Sequence, residues 1–161
     1  MILTIWVELR NVRLFSAKEC GLESRLDMSL VNDLQEVGRV IDSLEEFGVR
    51  NGIPQQQVLR FALALDELIT NIISHGFSNC GGGSIGLIVE QRNGVLSAEL
   101  VDDGPPFDPF AAELEAPTGD IEDRRIGGLG IELVRNVMDE FGYIRDGGFN
   151  RVNVEMKLKT A

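Results

Sequence analysis

The sequence predicts an α+β domain, a two-layer sandwich in which helices cover one face of a mixed, mostly antiparallel sheet. Three observations carry that prediction. Residues 34–47 and 61–72 place apolar side chains at three- and four-residue intervals, as helices with one buried face do. Leu26, Met28 and Leu30, then Ile85, Leu87 and Val89, and finally Val152, Val154, Met156 and Leu158 alternate with other residues, as strands do. Asn93-Gly94, the strongest short hairpin signal, separates two such runs and makes them antiparallel neighbours.

Taken in order, residues 1–22 stay open between an extra edge strand, a dimer arm and a poorly ordered leader, and are set apart as an extension from a domain spanning 23–161. Asn32 or Asp33 is the predicted cap of the first helix, whose apolar face is Leu34, Val37, Ile41, Leu44 and Phe47, with Gly48 at its end. Pro54 opens the second helix and Gly76 closes it, while Phe61, Leu65, Leu68, Ile69 and Ile72 form its sheet-facing side. Residues 84–91 and 95–101 make the hairpin. Four of the five prolines then fall between Asp103 and Ile126, where no period is sustained, although Pro109 to Leu114 could make one helical turn. A loop this long inside a domain suggests a functional lid. Gly127-Gly-Leu-Gly130 leads into a third helix carrying Ile131, Leu133, Val134, Val137, Met138 and Phe141. Tyr143 to Asp146, a Gly147-Gly148 turn and the closing strand follow.

A chain of 161 residues with 43% apolar content fits one globular domain. Its net charge of -11 opposes nucleic acid and anionic lipid and points to a basic protein partner instead. An anionic ligand would have to be met by local devices, such as a metal ion, backbone amides or a helix N-terminus. Cys20 and Cys80 form no paired motif, so neither zinc nor redox chemistry is indicated and a reduced, cytoplasmic setting is the expectation. The apolar opening of the chain lacks a basic leader and is interrupted by Glu8, Arg10 and Arg13, which argues against a signal peptide or a membrane span.

Three stretches carry chemistry. Glu67, Asn71 and His75 follow at i, i+4 steps on the second helix, so a carboxylate and a carboxamide lie one turn apart. Such a pair could orient a nucleophile and give a hard metal ion an oxygen ligand, though polar residues at this spacing more often form a solvated face. Asp66 points a quarter turn away and is read as supportive. His75, in a last turn, is read as serving the carbonyls there or capping the core. The second stretch is Asp102-Asp-Gly-Pro-Pro-Phe-Asp-Pro109. The third is the glycine cluster, which can bring backbone amides to a phosphate or simply be a hinge.

Together, and in this order, the three stretches resemble the GHKL superfamily of ATPases and kinases, the Bergerat ATP-binding fold of gyrase, histidine kinases and MutL, over about residues 24–158. Glu67 and Asn71 match its Glu-x-x-x-Asn helix, Asp102 and Gly104 its first glycine box, and Gly128 and Gly130 its second. The strings Ala64-Leu-Asp-Glu-Leu-Ile-Thr-Asn-Ile-Ile-Ser-His-Gly76, Asp102 to Pro109 and Gly127 to Glu140 are most similar to the small serine kinases that act as anti-sigma factors.

The resemblance implies ATP and Mg²⁺ as cofactors, with Asn71 holding the metal, Glu67 accepting the proton of the attacking hydroxyl and Asp102 taking a hydrogen bond from the adenine amino group. Gly104 would leave room for the base, and Gly128, Leu129 and Gly130 would pass beneath the phosphates. Residues 105–126 would be the lid, with Arg124 and Arg125 able to bring positive charge to the phosphates. The implied function is a protein-serine kinase that phosphorylates a STAS-domain anti-sigma factor antagonist, with a sigma factor and a second copy of the chain as further expected partners. The alternative is a nucleotide-dependent module that sequesters a partner without phosphotransfer. The catalytic half of a histidine kinase would need a phosphoacceptor histidine on a separate helix, and the only histidine is His75. Two departures stand out. Pro106 replaces the first box's second glycine, and Gly148-Phe-Asn150 replaces a Gly-Thr near the last strand, so one nucleotide contact is either lost or made by Asn150.

Overall fold

Alternation and helical periodicity resolve into two layers. The structure, a computed structural model, describes residues 12–15, 24–77, 83–111 and 129–159, with only the backbone placed for residues 12–15 and 129. In order these form β1 (Val12–Phe15), β2 (Ser24–Val31), α1 (Gln35–Asn51), α2 (Gln55–Asn71), β3 (Ser84–Arg92), β4 (Val95–Asp102), α3 (Leu129–Val137), β5 (Glu140–Asp146) and β6 (Phe149–Lys157). The six strands make one sheet in the order β1-β2-β3-β4-β6-β5. Every pairing among them is antiparallel, so the sheet is not mixed. Within the first 22 residues, Val12–Phe15 pairs along β2 as an edge strand.

One face of the sheet and the three helices share a single apolar core. Leu26, Ile85, Leu87, Val89 and Leu96 contribute from the strands, and Phe61, Leu65, Leu68 and Ile69 from α2, all fully buried. The opposite face carries ion pairs, Arg25 with Asp27 and Glu90 and Arg151 with Glu99, as the intervening positions of two-sided strands should. Asn93 and Gly94 both have positive φ, 50° and 76°, the geometry of a tight primed hairpin turn.

The expected boundaries shift in four places. The first helix runs past Gly48 to Asn51 and stops at Gly52, whose φ of 66° is left-handed. Gly48 is small for another reason: a Cβ there would overlap the Val58 side chain, so this glycine lets α1 and α2 approach closely. Asp33 Oδ1 accepts the Gln35 N–H at 2.9 Å, as a cap should, while Leu34 leaves the apolar face and is 54% exposed. The third helix ends at Val137, and Phe141 belongs to β5, which begins at Glu140 rather than near Tyr143.

The fourth shift lies at the end of the second helix. After Asn71 it continues as a π-type turn, Ile72–Gly76. A turn closed by i→i+5 bonds is wider than an α-helical one. Within it His75 is exposed, its ring 6.0 Å from that of Phe107.

Candidate functional site: a carboxylate network and a glycine-led helix

The site is built on the inward face of the sheet, where two strands end in polar residues. Asp102 continues the buried positions Leu96, Ala98 and Leu100 of β4, and Asn150 begins the set Val152, Val154 and Met156 of β6. The register pairs Asp102 directly with Asn150, and Asn150 with Arg145 of β5. Directly opposed residues of this kind have their side chains within contact distance.

Asp102 is 2% exposed and Asn150 1%. Both are hydrogen-bonded, as buried polar groups must be. Asp102 Oδ1 accepts the Gly104 N–H at 2.9 Å and Asn150 Nδ2 at 2.7 Å. Asn150 Nδ2 also donates to the Pro105 carbonyl at 2.8 Å. Asn150 Oδ1 accepts from Tyr143 Oη and Arg145 Nη1, both at 2.8 Å, and from the Phe107 N–H at 3.3 Å. Arg145 Nη1 reaches the Gly104 carbonyl at 2.8 Å as well. Burial pushes the Asp102 carboxyl above its ordinary range, and the donors from Asn150 and Gly104 and the charge of Arg145 oppose that rise. Among the described residues, Asp102 Oδ2 has no hydrogen-bond partner. It is an acceptor that a ligand donor could meet.

Gly104 is confined from two sides. A Cβ there would lie 2.9 Å from Asp102 Oδ1, 3.1 Å from the Phe77 ring and 3.2 Å from the Gly76 carbonyl. The glycine thus lets the loop after β4 close on the end of the central helix.

Glu67 and Asn71 lie one turn apart near the C-terminal end of α2, both partly buried. Neither side chain has a hydrogen-bond partner among the described residues. The Glu67 carboxylate rests on Gly130, the second residue of α3, where a Cβ would overlap Glu67 Oε2. Asp66, by contrast, accepts a 3.2 Å hydrogen bond from Thr70 on its own helix. Helix α3 is fixed to the core by Val134, fully buried, and by Met138 beyond its end. Arg135 of α3 donates to the Phe110 carbonyl at 2.9 Å, and the Phe110 ring packs 4.9 Å from that of Phe141, anchoring the start of the expected lid.

The structure thus brings Asp102 together with Gly104, and Glu67 with Gly130, and puts Asn71 one turn beyond Glu67. Arg124, Arg125, Gly128 and the part of the lid beyond residue 111 lie outside the described residues, as does the Leu129 side chain. Sequence reasoning missed Tyr143 and Arg145 and left Asn150 as one of two alternatives. The signal available was Asn150's parity, a polar residue in phase with the buried positions of its strand.

Mg²⁺ needs few protein ligands, because it keeps waters and phosphate oxygens in its shell. The Asn71 carboxamide oxygen, without a partner among the described residues, fits that requirement. No group of three or more His, Cys, Asp or Glu is arranged for a metal among the described residues.

Comparison with known proteins identifies the family. The model of the histidine kinase-like ATPase domain matches residues 30–156. The chain belongs to that family. Among its curated relatives, the serine/threonine-protein kinase BtrW of Bordetella bronchiseptica is 33% identical over 98 residues, covering 60% of this chain and 69% of that protein. The serine-protein kinase RsbW of Listeria monocytogenes is 31% identical over 117 residues, covering 68% of this chain and 73% of that protein. RsbW of Halalkalibacterium halodurans is 26% identical over 127 residues, with 76% and 77% covered. A crystal structure of the RsbU and RsbW domains of a Mycobacterium tuberculosis protein superposes with a TM-score of 0.62 at 15% identity, over 85% of this chain and 33% of that longer one. That likeness speaks for the fold.

Proposed function

We propose that this chain is an ATP-dependent protein-serine kinase of the anti-sigma type, which phosphorylates a serine hydroxyl of a STAS-domain antagonist and thereby switches partners. The observation that carries the reading is the placement of Glu67 against the glycine-led start of α3, in a chain whose curated relatives are named serine kinases. A module that only sensed nucleotide would not need a carboxylate there.

In this reading the site has two ends. At one, Asp102 Oδ2 accepts the adenine amino group, and the same atom repels guanine, which presents a carbonyl oxygen there. At the other, the backbone at the start of α3 carries the positive end of the helix dipole toward the phosphates. Glu67 orients the serine hydroxyl and receives its proton as the oxygen attacks the γ-phosphorus; the bond to the β,γ-bridging oxygen breaks, and ADP leaves. Mg²⁺ held through Asn71 supplies charge neutralisation between the phosphates and this acidic protein. Arg125, Gly128, Leu129 and Gly130 are assigned to the phosphates on the family resemblance. No helix of the described residues is long and apolar enough to cross a membrane, and we assign the switch to the cytoplasm on that same reading.

The test is phosphate transfer from ATP to a purified STAS-domain antagonist, followed by identification of the modified residue. Transfer to serine that disappears in Glu67→Gln, with ATP binding retained, is the expected result. ATP binding without transfer to any antagonist would replace the kinase by a nucleotide-dependent sequestering module.

A further inference from the structure

Among the described residues, Asn150 is the most heavily hydrogen-bonded side chain of the site. Asn150 uses both amide hydrogens, on Asp102 Oδ1 and on the Pro105 carbonyl, and its oxygen takes three donors, from Phe107, Tyr143 and Arg145. Carboxylate and carbonyl on one side and only N–H and O–H groups on the other leave the amide a single sensible orientation.

We infer that Asn150 is a positioning residue for nucleotide selectivity: it occupies Asp102 Oδ1 so that Oδ2 alone faces the ligand, and it ties the loop at Gly104–Phe107 to β5 and β6 in the same act. The inference rests on the nucleotide reading given above and adds to it a residue that does not itself touch the base. The Gly104 N–H also holds Oδ1, but it lies only two residues from Asp102, in the loop itself. Asn150 is the long-range anchor, set at the start of β6 between its two partner strands and braced by Tyr143 and Arg145 of β5. Without it the carboxylate can rotate, and either oxygen, or a water, can face the ligand. A preorganised acceptor discriminates a missing donor strongly, whereas a mobile one does not.

The experiment compares ATP with purine riboside 5′-triphosphate, which lacks only the exocyclic amino group, by calorimetry on the full chain. The variants are Asn150→Ala and Asn150→Thr, each checked for folding by thermal melting. Wild type should prefer ATP by about tenfold or more, the effect of one hydrogen bond to a charged group. That ratio should fall toward one in Asn150→Ala and lie between in Asn150→Thr, whose hydroxyl is too short to serve both Asp102 and Pro105. A folded variant of either kind that keeps the wild-type ratio overturns the inference, even if its ATP affinity is lower. Wild type that binds neither nucleotide overturns the nucleotide reading itself, a different outcome.

Discussion

The two ends of the site are built by opposite means. At the sheet end, Asp102 is held by a closed set of hydrogen bonds running through Asn150 to Tyr143, Arg145 and the backbone of the following loop. At the helix end, Glu67 and Asn71 have no hydrogen-bond partner among the described residues, and Glu67 is placed by packing on Gly130. Recognition of a rigid base calls for an acceptor fixed before the ligand arrives. A proton acceptor and a metal ligand must instead engage groups that come with the substrate, so their own valences are left open. The difference predicts that the sheet end governs selectivity for the base, and that the Glu67 carboxylate at the helix end governs rate.

The sharpest break of that comparison is Glu67→Gln. Phosphotransfer should fall by about 10²- to 10⁴-fold, the worth of a general base, while ATP affinity measured by calorimetry stays within a few-fold. An equal loss in both would dissolve the distinction between the ends. Asp102→Asn should act on the other end, weakening ATP binding by about a hundredfold, because an N–H donor can then face the adenine amino group. Its melting temperature should hold or rise, since a buried charge is removed while a carboxamide oxygen can still accept from Gly104 and Asn150.

Gly130→Ala probes the contact between α2 and α3. The new methyl would displace the Glu67 carboxylate, so transfer should drop by about tenfold or more, and thermal melts should show about 1–3 kcal/mol of destabilisation from overpacking. Acidification discriminates more gently. Because burial raises the Asp102 pKa, the folded state holds that proton more tightly than the unfolded chain does. As pH falls from neutrality toward the ordinary carboxylate range, this group's contribution to stability should therefore rise. ATP affinity should fall over the same interval, since the adenine amino group needs the ionised form; parallel calorimetry and melting curves across that range would show the two trends diverging. Smallest for function is Gly48→Ala, which crowds Val58 between α1 and α2. It should cost about 1–3 kcal/mol in denaturant unfolding and leave ATP affinity of the folded protein unchanged.

Much of this was legible in the sequence because the two periods are so clean. Phe61, Leu65, Leu68, Ile69 and Ile72 lie where a 3.6-residue period puts them, and the hairpin at Asn93-Gly94 falls on its two residues. What was not legible came from contacts between elements. Gly48 looked like a helix stop because glycine often is one, yet here a close helix–helix approach demands it. Phe141 fitted the helical period of α3 by coincidence, since Tyr143 and Arg145 also place it on one face of a strand. The π turn at Ile72–Gly76 leaves no mark in the residue types. Asn150 was legible only in part: its parity was visible, but its partners depended on the β4–β6 and β5–β6 registers, which pairwise strand contacts alone define.

In the proposed reading, two separately built ends form one adenine-nucleotide site. The most direct measurement is a calorimetric titration of the purified chain with ATP and GTP, with and without Mg²⁺, beside Asn71→Ala and Asp102→Asn. We expect adenine-selective binding that Mg²⁺ strengthens, with Asn71→Ala removing the metal's effect and Asp102→Asn removing the selectivity. A folded wild-type protein that binds neither nucleotide, or that binds ATP and GTP alike, would contradict it.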